Sequence, residues 1–171
     1  IAASYFFYMA GAKDPLPPPW YYVGLLLLST VLDYVCSHRI AANRAAFEGE
    51  DAAARVRAGR ARNAWLAVSL IGNLGLLAYF KYTNFLLGAF GDIAGALGIE
   101  VVVPHLRLLL PIGISFYTFQ TLSYTIDVWR RRLTPEPSLR RFALFVVFFP
   151  QLVAGPIVRA HVFLPKLHRP P

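Results

Sequence analysis

The sequence predicts an all-α chain: a polytopic transmembrane helical bundle, or a fragment of one. Three observations carry this. The 171 residues are 57% hydrophobic and only 15% charged, whereas soluble domains are commonly about a quarter charged. The apolar residues gather into long uncharged runs: 17 residues from Ala64 to Phe80, 19 from Leu108 to Ile126 and 17 from Phe142 to Val158. Crossing about 30 Å of hydrocarbon takes about 20 helical residues, and a soluble core helix of that length keeps a polar face. Finally, the charges lie between the runs rather than along one face. A net charge of +8 would otherwise suggest a nucleic-acid partner; this segregation is that of membrane loops, so membrane lipid and not nucleic acid is the expected surroundings.

Each element follows from local chemistry. Residues 1–12, "IAASYFFYMAGA", read as the tail of a partial first span, and the chain stops at "LHRPP" without a closing element, so a fragment is expected. "KDPLPPPW" is a turn, since consecutive prolines deny helical hydrogen bonds. A span is expected over about 20–37, opening on Trp20, Tyr21 and Tyr22 at the water–lipid boundary. A polar loop at 38–63 carries six arginines against three acids. Within it "EDAAARVRAGRAR" predicts an interfacial helix: alanine-rich, acids first, arginines last, with Asp51 and Arg55 four apart. The stretch 64–97, with Lys81 and Asp92 its only charges, predicts one tilted span loosened by Gly88, Gly91 and Gly95. Spans at about 110–129 and 142–158 flank a second loop, 130–141, with five arginines and one glutamate. Both arginine-rich loops are then cytoplasmic, with two spans between them and an outer loop that has no basic excess.

Polar groups at membrane depth are costly and normally face a bundle interior or a wet cavity. Gln120, Ser123 and Asp127 share a helical face by their spacing, with Tyr124 beside them. This face either lines a polar tunnel or bonds to neighbouring helices, and Asp127 has Arg130 and Arg131 within reach along the helix. Asp33 predicts an ion pair with Arg39 or a helix cap. Lys81 snorkels to an interface or neutralises an acid elsewhere. The lone Cys36 makes no disulfide within the chain and founds no metal site, so it reads as a small buried residue. His38, His105, His161 and His168 belong to no nucleophile or metal motif.

The stretch "FFPQLVAGPIV" breaks the last run. Pro150 removes a backbone donor, Gly155-Pro156 restricts the backbone again, and a straight helix is excluded. Broken helices survive in membranes only where protein or a water-filled cavity covers the exposed backbone. A kinked or re-entrant segment near 148–158 is therefore predicted, bordering a cavity, with Gln151 as an internal hydrogen-bonding group.

Two long motifs, "LPIGISFYTFQTLSYTIDVWRRRL" and "FALFVVFFPQLVAGPIVRAHVFLPKL", closely resemble the bacterial membrane-bound O-acyltransferases, in a branch similar to the alginate O-acetylases. "STVLDYVCSHRIA" and "WLAVSLIGNLGLLAYFKYTNF" extend the resemblance over nearly the whole chain. The resemblance implies a multi-pass enzyme of the bacterial inner membrane that transfers an acyl group, commonly acetyl, to hydroxyls of an exported polysaccharide such as alginate. It implies that the histidine acting as base lies downstream of "GPI", so that no catalytic residue falls in this chain, which supplies the amino-terminal, tunnel-lining helices. Gln120, Tyr124, Asp127, Gln151 and Pro156 are the corresponding motif or tunnel-lining candidates. No bound cofactor or metal is implied. The acyl donor, acetyl-CoA or an acyl carrier, is a substrate, and the partners are a polysaccharide acceptor or a periplasmic acyltransferase. The alternative class is a transporter or lipid flippase with its site at broken helices; a purely structural membrane subunit is a third.

Overall fold

A computed structural model describes residues 19–102, 104, 113–148, 160 and 163–164, with side chains from position 21 onward. Five helices follow in order: α1 Pro19–Ala42, α2 Arg44–Glu48, α3 Ala52–Ala96, α4 Ile114–Trp129 and α5 Leu139–Val147. No strand occurs among the described residues. The partial span expected at 1–12 and, apart from Phe148, the stretch 148–158 with Gln151 and Pro156 lie outside them.

Two segments are long and apolar enough to cross a membrane, Tyr21–Glu48 and α3. Pro19 stands in the first turn of α1, where its missing N–H costs nothing. The buried residues of α1, namely Tyr22, Leu26, Ser29, Thr30, Asp33, Cys36, Ser37 and Ile40, recur every three or four positions and mark one helical face. α1 continues past the expected end at 37 through Ala42, since "SHRIAA" contains no helix breaker.

α3 begins at Asp51, whose carboxylate accepts from the Ala53 N–H at 2.9 Å, an N-cap. It then runs 45 residues without interruption, about 68 Å and twice the hydrocarbon thickness. The arginine-rich segment and the apolar run, expected as a loop helix and a separate span, are one helix, because nothing between Arg62 and Ala64 ends it. Gly88, Gly91 and Gly95 are helical too. Beyond Phe80 the helix is mostly unpartnered: Phe85, Leu86, Phe90 and Ile93 are all exposed.

α4 is shorter than the 110–129 expected. Gly113 has φ 72°, a left-handed value that suits glycine and starts the helix behind it. At its far end Arg131 N–H donates to the Val128 carbonyl and Arg132 N–H to that of Asp127, at 3.0 and 2.9 Å. This is a Schellman turn. Its left-handed residue, normally glycine, is Arg131 at φ 63°, a strain of about 1 kcal/mol. α5 starts on Ser138, whose hydroxyl accepts from the Arg141 N–H, and ends at Val147, with Phe148 already extended at ψ 97°. Nine residues make about 13 Å, too short to span a bilayer. The run 142–158 is therefore not one continuous helix, as the prolines require.

α1, α3 and α4 pack against one another pairwise, and α5 packs on α1 and α4. The core joins Tyr22, Leu26, Leu77, Phe80, Tyr117 and Tyr124 to Phe142, Phe145 and Val146. Ala160 and Leu164 are buried in the same core, and the Phe163 ring lies 5.0 Å from that of Phe148.

Candidate functional site

The junction of α1, α3 and α4 is built around Asp33, which is 0% exposed. Ser69 Oγ donates to Oδ1 of its carboxylate. Asn73 Nδ2 reaches both carboxylate oxygens at 2.9 Å and also the Ser69 carbonyl at 3.0 Å. Thr121 and Thr125 stand beside the same carboxyl from α4. α3 delivers Ser69 and Asn73 together because they are four apart, one turn, and α4 delivers its two threonines by the same spacing. Gly72 allows the approach: a Cβ there would lie 2.5 Å from Leu32 Cδ2.

This corrects the expectation for Asp33. It forms neither an ion pair with Arg39 nor a helix cap. The Arg39 guanidinium instead lies over the Trp65 ring at 5.6 Å. Four residues on two other helices surround Asp33, and all of them are neutral. A serine hydroxyl held by a carboxylate is a nucleophile–base arrangement in form. Here Ser69 and Asp33 are both sealed from the surface, so the pair acts as a lock between helices.

The residues of α4 singled out from the sequence stand on one helix, and the structure gives partners to Gln120, Ser123 and Tyr124. Gln120 Nε2 donates to the Phe145 carbonyl at 2.6 Å. That carbonyl sits in the last turn of α5, where no intrahelical donor remains, so Gln120 closes the end of the broken helix. Ser123 bonds to the Gln120 carbonyl at 2.8 Å within its own helix. The Tyr124 hydroxyl accepts from the Glu136 N–H at 2.9 Å, and its ring packs 4.6 Å from Phe142. The Tyr34 hydroxyl donates to the Pro137 carbonyl at 2.8 Å, tying the same loop to α1. Asp127 is half-buried. Neither Arg130 nor Arg131 pairs with it: Arg131 reaches Glu48 at 3.4 Å. Lys81 is exposed and lies over the Tyr82 ring at 5.5 Å.

The structure also brings the two arginine-rich segments together at one end of the bundle. Arg62 donates to the Trp129 carbonyl, Trp129 Nε1 donates to Asn63 Oδ1 at 3.0 Å, and Glu48 joins Arg44 at 3.0 Å to Arg131. His38 Nδ1 is 2.8 Å from the Tyr34 carbonyl. Among the described residues no three His, Cys, Asp or Glu side chains gather as metal ligands would, and Cys36 is a buried free thiol.

Sequence reasoning missed Ser69, Asn73 and Arg62. The signal for the first two was available: a serine and an asparagine one turn apart are the polar residues of the apolar run "WLAVSLIGNLGLLAYF", and such a pair faces a partner.

Similarity to known proteins runs along nearly the whole chain. It is 39% identical over 163 residues to a Pseudomonas aeruginosa protein named "Probable alginate O-acetylase AlgI", covering 93% of this chain and 27% of that protein. The Azotobacter vinelandii protein of the same name is 39% identical over 160 residues, covering 93% of this chain and 28% of the relative. A Helicobacter pylori protein named "Peptidoglycan O-acetyltransferase" is 29% identical over 202 residues, covering 95% of this chain and 35% of the relative. The chain thus spans about a quarter to a third of the length of these curated relatives. No family model matches the chain, and no solved structure matches it.

Proposed function

We infer from the similarity to the alginate O-acetylases that the protein is a membrane-bound O-acyltransferase, multi-pass in a bacterial inner membrane. It moves an acyl group, acetyl by preference, onto hydroxyls of an exported polysaccharide such as alginate. The observation that carries this is the 39% identity maintained over 93% of the chain. The Helicobacter pylori relative, named for peptidoglycan, keeps a second glycan acceptor open. The acyl donor is a cytoplasmic substrate, acetyl-CoA or an acylated carrier, and a periplasmic transferase is the expected partner. The relatives described above are named for O-acetylation and none for transport.

Within such an enzyme this segment forms part of the wall of a passage. Donor and acceptor on opposite sides of a bilayer require one, and a hydroxyl becomes a useful nucleophile only where a positioned base can take its proton. The end of α5 at Val147 is where the bundle makes room. Gln120, Tyr124 and Asp127 lie on the helix beside that end, and Gln151 and Pro156 follow it in sequence. The gathered arginines of α2, α3 and the α4–α5 loop face the cytoplasm.

The full-length gene, expressed in a bacterium that exports alginate but cannot acetylate it, provides the test. Ester-linked acetyl on the secreted polymer, measured by infrared or proton NMR spectroscopy, is the expected result. Normal protein level in the membrane with unacetylated alginate and unacetylated peptidoglycan would defeat the proposal.

A further inference from the structure

A buried charge on α3, Arg62, is held quite differently from Asp33 on α1. Arg62 is 4% exposed. One of its terminal nitrogens donates to the Trp129 carbonyl, and its guanidinium lies 4.5 Å over the Phe47 ring. Its Nε has no hydrogen-bond partner. Among the described residues no carboxylate forms an ion pair with it. A buried cation normally has an anionic partner, because desolvation costs it several kcal/mol that neutral neighbours only partly return.

Arg62 lines a cavity of about 400 Å³ together with Phe47, Gly59, Trp129, Arg130 and Arg131, and among the described residues no acidic one lines it. Gly59 leaves space for the Phe47 ring, which a Cβ would meet at 3.3 Å. Arg131 enters the cavity from the left-handed position of the Schellman turn, at φ 63°, where glycine would be unstrained. Strain at a non-glycine residue beside a cavity is a pointer to a binding role. Arg131 also contacts Glu48 at 3.4 Å, and that carboxylate is itself held by Arg44 at 3.0 Å.

We propose that this cavity binds a phosphoryl anion. Guanidinium forks match phosphate oxygens two at a time, and three of them favour a group carrying more than one negative charge or several acceptor oxygens. The volume is in the range that holds a small ligand and exceeds a lone phosphate. Two sources share this chemistry: the headgroup of an acidic phospholipid and a soluble diphosphate-bearing molecule. The assignment does not depend on the acyltransfer reading.

The test uses the full-length protein in lipid nanodiscs, followed by thermal melting, since a ligand that binds the folded state raises the melting temperature. Inorganic pyrophosphate is titrated into discs of phosphatidylcholine alone. A second series replaces one third of the lipid with phosphatidylglycerol and omits pyrophosphate. A rise with pyrophosphate assigns a soluble ligand, and a rise with phosphatidylglycerol assigns a lipid headgroup. In either case Arg130→Gln and Arg131→Gly, at exposed positions, should weaken the response at least about tenfold, the loss expected for one charge-assisted bond. Arg140→Gln, which removes a charge outside the cavity, should respond like wild type. The proposal falls if neither probe raises the melting temperature. It falls equally if Arg130→Gln and Arg131→Gly respond like wild type, or if Arg140→Gln loses as much as they do.

Discussion

Asp33 on α1 and Arg62 on α3 are both buried, Arg62 lying about two turns along α3 from the Ser69 that holds Asp33, and the bundle treats them in opposite ways. The carboxylate is enclosed by Ser69 and Asn73, with Thr121 and Thr125 alongside. The guanidinium has a carbonyl, an aromatic ring and an open cavity. In lipid the usual hydrophobic drive between helices is absent, so packing and polar contacts must hold a bundle together. Asp33 meets that need. Arg62 bonds α3 to the end of α4 through the Trp129 carbonyl, but with its Nε unpartnered it leaves a positive site open to a ligand.

The largest expected effect tests the first half of this contrast. Asp33→Ala leaves the Ser69 hydroxyl and the Asn73 amide without their acceptor, and should cost about 2–3 kcal/mol. Thermal melting of the purified protein measures it, with Asp33→Asn expected to retain more than half of the stability lost by the alanine variant. An unchanged melting temperature for Asp33→Ala would show that the lock is not needed. Next comes Gln120→Leu, which removes the donor from the Phe145 carbonyl and should destabilise by about 1–2 kcal/mol. Faster proteolysis between α5 and residue 160 should accompany that loss, and equal cutting of both proteins would deny Gln120 its role at the helix end.

Arg62→Met sharpens the other half. Removing a desolvated charge that has no ion-pair partner offsets the loss of the bond to the Trp129 carbonyl, so this variant should melt within about 1 kcal/mol of wild type when no anion is added. A loss as large as that of Asp33→Ala would make the two charges equivalent and erase the contrast. Gly72→Ala should cost about 1 kcal/mol, since the Leu32 side chain can give way only partly. The smallest effect is Arg131→Gly: release of the left-handed strain should stabilise the anion-free protein by about 0.5–1 kcal/mol, offset by its exposed contact with Glu48. A destabilised Arg131→Gly would mean that this contact outweighs the strain.

The all-helical class and the two long apolar segments, Tyr21–Glu48 and α3, were legible in the sequence because they depend on run length and charge placement alone. That Gln120, Ser123 and Asp127, with Tyr124 beside them, stand on one helix was legible too, since α4 runs unbroken through all four. What each side chain bonds was not. The Phe145 carbonyl is available to Gln120 only because α5 stops at Val147, and its identity depends on where α5 docks. Asp33 was matched to Arg39, the nearest opposite charge along the chain, whereas its partners Ser69 and Asn73 lie 36 and 40 positions away. The length of α3 was divided at Ala64 because composition changes there, but composition does not end a helix unless a residue denies the backbone its bonds.

That unbroken α3 has a mechanical consequence. It is held near its middle by Asp33 through Ser69 and Asn73, while from Phe85 to Ile93 its large apolar side chains have few neighbours. From Asn73 to Ala96 is about 35 Å of helix, so a tilt of about 10° at the Asp33 contact moves the far end by roughly 6 Å. With Leu77 and Phe80 packed into the core just beyond it, the Asp33 contact sits at the root of a lever, and a change of packing there would be magnified at the far end of α3.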